Sequence, residues 1–186
     1  MKVYRALLDV NNYQSFLFTN NDDLNNRNLR VFDAMPKSDT WVPPSVYIER
    51  PKLKKGNFFD FWSTASLVVD ETTSEKLEPL LELSGELLPL PHENAMYYVL
   101  NVTECINALD RQETKWQYEP DTIPIEHYVF HPDRLFCGSS LFKIPETCNY
   151  EILTVEGIKD PDDEFKGRVE RLKLKGLIFQ ELWSDE

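Results

Sequence analysis

A chain of 186 residues with 41 % hydrophobic, 12 % aromatic and 28 % charged residues has a globular composition, which argues against disorder and favours one domain that buries a core without staples. With 32 acids against 20 bases the formal net charge is −12, and no basic spot is denser than Lys52, Lys54 and Lys55, so direct binding to a phosphate backbone is disfavoured. No apolar run approaches the roughly 20 residues that span a bilayer, the start Met1-Lys2-Val3-Tyr4-Arg5 carries no secretory pattern, and Cys105, Cys137 and Cys148 read as reduced thiols of a cytoplasmic protein.

In chain order, Asn11–Asn28 packs seven asparagines and two aspartates around Phe16-Leu17-Phe18. Asn and Asp compete with regular backbone bonding, so a short strand near 14–18 and a surface loop near 19–28 are expected. Pro36, Pro43, Pro44 and Pro51 then surround Val46-Tyr47-Ile48, which suggests an edge strand, because proline cannot feed a central ladder. Ser66–Val69 reads as a strand. Thr72-Thr73-Ser74-Glu75 fits a capping box, followed by Leu77, Leu80, Leu81 and Ser84 at helical spacing, with Pro79 inside the helix. Gly85 is the expected residue after the helix, and Leu87–Leu90 the next strand.

Met96–Leu100 is a further strand, Cys105–Leu109 a short turn of helix, and 112–121 a polar stretch. His127–Phe130 and Leu141–Ile144 are strands. The last third repeats the earlier order. Ile152–Val155 is a strand, and Asp160-Pro161-Asp162-Asp163-Glu164 has the chemistry of a helix start. Phe165, Val169 and Leu172 form an apolar stripe, Lys173 and Lys175 suit the negative helix end, Gly176 stops the helix, and Leu177–Trp183 closes the chain as a strand. The expected fold is α+β: a mixed β-sheet with few helices, containing two strand–helix–Gly–strand units as a pseudo-repeat. It forms a single domain over 1–186, with an irregular Asn- and Pro-rich part at 1–57.

Few residues group into chemistry. The chain has no Gly-x-Gly-x-x-Gly, no Walker loop and no Gly-x-Ser-x-Gly elbow, and Gly138-Ser139-Ser140 reads as a turn. His127, His131, Asp133 and Cys137 superficially resemble a metal cluster. In a strand, however, residues four apart lie about 13 Å from one another, beyond a shared ion's reach. Asp160, Asp162, Asp163 and Glu164 read as a helix cap, not a cation loop. His92-Glu93-Asn94 is a turn. No catalytic residue, metal or cofactor is expected, and the chain is read as a binding protein. The charge serves either solubility alone or attraction of a basic partner.

Two stretches carry a resemblance: YYVLNVTECINALD at Tyr97–Asp110 and GLIFQELW at Gly176–Trp183. Leu100-Asn101-Val102, the Leu109-Asp110 pair, the Leu141-Phe142 step, and an end with Gly176, Leu177, Phe179 and Leu182-Trp183 resemble a family of bacterial immunity proteins. It is the eleventh in the numbered series from polymorphic toxin systems. The family-like part is 58–183. The resemblance implies a cytoplasmic antidote that binds a cognate toxin protein and blocks it, with no direct contact to nucleic acid or membrane. The charge adds weight to a basic toxin that acts on nucleic acid. The alternatives are a hydrolase-like enzyme with a dispersed active site, or an adaptor that binds a protein unrelated to toxins. The sequence names no toxin-contact residues.

Overall fold

A computed structural model describes residues 1–185 apart from Thr64, residues 119–123, Cys137 and Asn149. In chain order the elements are β1 (Lys2–Leu8), β2 (Phe16–Phe18), α1 (Arg27–Arg30), β3 (Val46–Ile48), β4 (Phe58–Phe59) and β5 (Leu67–Asp70). There follow α2 (Glu71–Ser84), β6 (Gly85–His92), β7 (Ala95–Val102), β8 (Lys115–Trp116) and β9 (Ile125–His127). The chain ends with β10 (Leu141–Phe142), β11 (Leu153–Glu156), α3 (Phe165–Arg171) and β12 (Leu177–Ser184). The fold is α+β. No described helix is long and apolar enough to cross a membrane.

Two four-stranded sheets share one topology, ordered β4-β5-β7-β6 and β10-β11-β1-β12. All their ladders are antiparallel, in place of the expected mixed sheet. The parallel contacts are isolated bridges such as Cys105↔Lys143. Because β5 and β6 both run antiparallel to β7, they run parallel to each other, and α2 crosses from one to the other over the intervening strand. The second sheet repeats this with β11, α3 and β12 around β1. The strand in the slot is the next one along the chain in the first unit and the N-terminal strand in the second. The expected pseudo-repeat is therefore present and circularly permuted. β1 was not among the expected strands, and although it lies within the first 57 residues it belongs to the second sheet.

Each sheet is apolar on both faces. Leu67, Val69 and Leu100 of the first sheet and Ala6 and Leu141 of the second share an inner core with Leu77 and Leu81 of α2 and Phe165 and Val169 of α3. The opposite face of the first sheet (Val68, Leu88, Val99) is covered by Phe16, Phe18, Phe32 and Val46 from the Asn- and Pro-rich segment. The opposite face of the second (Val3, Leu153, Val155) is covered by Leu109, Tyr128, Phe130 and Leu135. The asparagines act as caps in this layer. Asn20 accepts from the Asp22 amide and Asn26 from the Asn28 amide, closing a 3-10 turn and α1.

Several local expectations shift for identifiable reasons. α2 starts at Glu71 because Asp70, at the end of β5, already accepts the Thr73 amide at 2.7 Å, which preempts the box expected at Thr72. Pro79 lies on the exposed side of α2, so the hydrogen bond it cannot make faces water. Gly85 is extended, not left-handed, and its role is close approach: a Cβ there would stand 2.0 Å from the Asn101 carbonyl oxygen. Asp160 caps only a 3-10 turn at Pro161–Asp163. Glu164 then turns back to accept three amides, from Gly157, Ile158 and Lys159, at 3.0, 2.7 and 2.8 Å.

α3 ends at Arg171, five residues before Gly176, in a Schellman turn with Lys173 in the left-handed position at φ 54°. The Lys173 amide donates to the Glu170 carbonyl and that of Leu174 to Val169, both at 3.0 Å. Gly176 serves the junction between the sheets instead: its φ is 109°, and a Cβ would fall 2.4 Å from the Phe58 carbonyl oxygen. Cys105–Leu109 forms no helix. The segment is extended and bridges to Lys143 at one end and Phe130 at the other.

Phe165 is fully buried, with Phe58 and Phe179 edge-on at 6.1 and 6.3 Å, whereas Phe179 keeps partial exposure. Phe165→Ala should therefore cost about 3–5 kcal/mol, the usual range for emptying a core phenylalanine site, and Phe179→Ala clearly less. Chemical denaturation of the two variants checks this order, and equal losses would place Phe179 in the core proper.

Candidate surface for protein binding

The residues singled out from sequence are largely absorbed by the scaffold. Asn101 is wholly buried, and its amide donates to the Met35 carbonyl at 2.9 Å and to Glu86 at 2.8 Å. Glu86 also receives the amides of Lys37 and Ser38. Burial alone would raise the Glu86 carboxyl, but these bonds outweigh it and hold the group below the ordinary glutamate range. The Leu-Asn-Val motif thus pins the covering layer to the first sheet. Leu109 is core, and Asp110 caps the following turn through the Gln112 and Glu113 amides. Leu141 and Phe142 are fully buried on opposite faces of β10.

Ser139 and Ser140 are structural. The Ser139 hydroxyl lies 2.7 Å from that of Ser84 at the end of α2 and donates to the Leu141 carbonyl. The Ser140 hydroxyl accepts the first amide of α3. His127 sits exposed in β9 opposite Lys115, while His131 approaches Asp110 at 3.7 Å. No group of three or more His, Cys, Asp or Glu among the described residues could hold a metal ion. Cys137 lies outside the described residues. Cys105 is exposed, yet partial desolvation by the surrounding chain, with Cys148 nearby, holds its thiol above its ordinary pKa, the opposite of what a reactive thiolate needs. His92 ends β6 with Nδ1 3.1 Å from the Val46 carbonyl oxygen.

The outer face of α2 carries a row of exposed carboxylates. Its inner face buries Thr73, Leu77, Leu81 and Ser84. Opposite them Glu71, Glu75, Glu78 and Glu82 recur at i, i+4, i+7 and i+11, all exposed and none in an ion pair among the described residues. Lys76 is the helix's only base. This arrangement opposes helix physics twice. Like charges three and four residues apart repel, and carboxylates run to the negative end of the dipole, where the last turn holds no cation. Leu83, 58 % exposed, stands beside the last glutamate. The glutamate spacing carries this signal in the sequence, on the helix side opposite the apolar stripe.

A second charged group stands out inside. Lys143 has no exposed surface, and its ammonium donates to the Phe32 carbonyl, joining the second sheet's rim to the layer over the first. Burial lowers its pKa from 10.5 to about 8. Between those values the unfolded chain binds more protons than the folded one, so this residue makes stability rise with pH across that window. Below about 8 the buried charge is a constant cost. Urea unfolding between pH 8 and 10 should show that rise, and Lys143→Met should remove its share. An unchanged slope in the variant would show that Lys143 does not titrate there.

No family model matches the sequence, and no curated protein is significantly similar to it, so the reading of function rests on the chain's own motifs and surfaces.

Proposed function

We propose that this chain is an immunity protein, a cytoplasmic antidote that binds a cognate bacterial toxin domain and blocks it stoichiometrically, without catalysing a reaction. Two independent features support the reading. The first is the resemblance in Tyr97–Asp110 and Gly176–Trp183. The second, which carries the surface assignment, is the carboxylate stripe Glu71, Glu75, Glu78 and Glu82 on α2.

A stripe that destabilises its own helix calls for a compensating role, and a basic partner supplies one by neutralising it. Toxins that cut or modify nucleic acid present basic grooves to phosphate, and an acidic helix can occupy such a groove in place of the substrate. Leu83 and Pro79, exposed beside the glutamates, add apolar area to a polar rim.

The test uses the partner that the proposal requires, a toxin whose gene would stand beside this one. Replacing Glu75, Glu78 and Glu82 together by Lys should lower the association rate on the order of tenfold or more at low salt. The difference should shrink as the Debye length falls from about 30 Å at 0.01 M to about 8 Å at 0.15 M ionic strength. The same variant should unfold at an equal or higher temperature, because cations then face the negative end of the α2 dipole and Glu71 gains an oppositely charged neighbour four residues on. Unchanged association would remove α2 from the interface, and failure of the wild-type pair to co-elute would overturn the immunity reading.

A further inference from the structure

The C-terminal end of α2 is a junction of segments distant in sequence. The Ser84 carbonyl accepts the amides of Thr103 and Glu104 at 3.0 and 3.1 Å, and the Ser84 hydroxyl lies 2.7 Å from that of Ser139. Gly85 and Glu86 lead on into β6, where Glu86 and Asn101 hold the loop at Met35–Ser38. Three of these segments carry a large apolar residue in solvent. Leu83 precedes Ser84, Met35 gives its carbonyl to Asn101, and Phe136 stands three residues before Ser139. They are 58 %, 63 % and 63 % exposed. Apolar residues scattered singly over a surface need no explanation, whereas three gathered at one helix end form a patch.

The exposure of Met35 is fixed by the fold. Ala34 before it has φ 66°, a left-handed backbone that a residue with a Cβ adopts only at a cost. After it, the amides of Lys37 and Ser38 are bound by Glu86, and the Lys37 ammonium donates to the Asn28 carbonyl at 2.8 Å. Strained backbone held by its surroundings collects at binding surfaces, where a side chain must stand in one place.

The patch continues the glutamate stripe. Glu82 adjoins Leu83 on α2, Glu104 is bonded through its amide to the end of the same helix, and Asp39 follows the Met35 loop. An apolar centre with an acidic border has the anatomy of a protein interface, and its complement is an apolar pocket with a basic border.

We infer that Met35, Leu83 and Phe136 are the apolar anchors of the toxin interface, received by a hydrophobic pocket at the edge of the toxin's basic groove. The inference rests on the immunity reading and adds to it the kind of surface the partner presents. Charge and apolar contact then have separate roles: the glutamates of α2 speed the encounter, and burial of the three anchors sets the lifetime of the complex.

Binding kinetics with the toxin that the immunity reading requires, at one ionic strength, test the assignment. Met35→Ala, Leu83→Ala and Phe136→Ala together should raise the dissociation rate on the order of a hundredfold and change the association rate by less than about threefold. That is the reverse of the pattern expected for the glutamate substitutions. Tyr150→Ala with Ile178→Ala, exposed apolar residues elsewhere on the chain, should change neither rate. The wild type supplies a second reading. Peroxide should convert Met35 to its sulfoxide rapidly in the free chain and slowly in the complex, as peptide mass spectrometry would record. A pair that forms but dissociates no faster in the triple variant, or in which Met35 oxidises as fast as in the free chain, overturns the assignment and leaves the immunity reading standing. A wild-type pair that never forms overturns both.

Discussion

A strand–helix–strand crossover whose two parallel strands do not touch leaves a slot one strand wide, and the organisation of this protein follows from filling that slot. In the first unit β7 fills it at small cost, because a tight turn delivers it directly from β6. In the second unit the filler is β1, about as far along the chain from β12 as the sequence allows, so loop closure is costly in entropy until both ladders form. The compensation is that β1 is paired with β12 along its length and with β11 over Lys2–Arg5. The chain ends are tied as well: the N-terminal ammonium lies 2.6 Å from Asp185, and the Asp185 amide donates to the Met1 carbonyl. Folding of the second unit therefore waits on the N-terminus, while the first can form from consecutive residues.

Both sheets are apolar on two faces, so each needs a helix on one side and a second cover on the other. The covers are irregular segments, and buried polar side chains hold them where strand ladders do not. Asn101 and Glu86 hold the loop at Met35–Ser38. Lys143 reaches across to Phe32, and Arg5 from β1 contacts Tyr128 at 2.8 Å and Glu151. These bonds replace water contacts that the buried groups have lost, so their net stabilisation is modest, but removing one partner would strand the other in the interior. Their value is in fixing the position of each layer. That explains why Asn101, Leu109, Leu141 and Phe142 of the family-like motifs occupy buried positions while the exposed charge is carried elsewhere.

The sequence made the regular parts of this fold legible and left its long-range pairing hidden. The strand–helix–strand units appeared in the periodicity of Leu77, Leu81, Phe165 and Val169 because apolar spacing is a local signal. β1 was missed because Lys2 and Arg5 interrupt its apolar pattern, and nothing local announces that both of its edges are paired. The capping box at Thr72 looked correct by spacing, but an acceptor two residues earlier, Asp70, was already in place. Gly176 read as a helix stop because glycine usually serves there, whereas the structural need is the Phe58 backbone, distant in sequence. The buried Lys143 had no sequence signal at all, since lysine is ordinarily a surface residue. The glutamate stripe of α2 was visible in principle, because helical spacing applies to charged residues as it does to apolar ones.

The functional account joins a scaffold whose motif residues are structural to a helix whose exposed charge is not. A blocking protein needs only a rigid surface of the right sign, and α2 is anchored by its apolar face between the two sheets. The claim at the centre of the account is stoichiometric blocking. A titration of toxin activity against molar ratio measures it most directly. The account predicts that residual activity falls linearly and reaches its floor at one chain per toxin domain. Complete loss of toxin activity at a small fraction of an equivalent, progressing with time, would contradict it and show that this chain turns over.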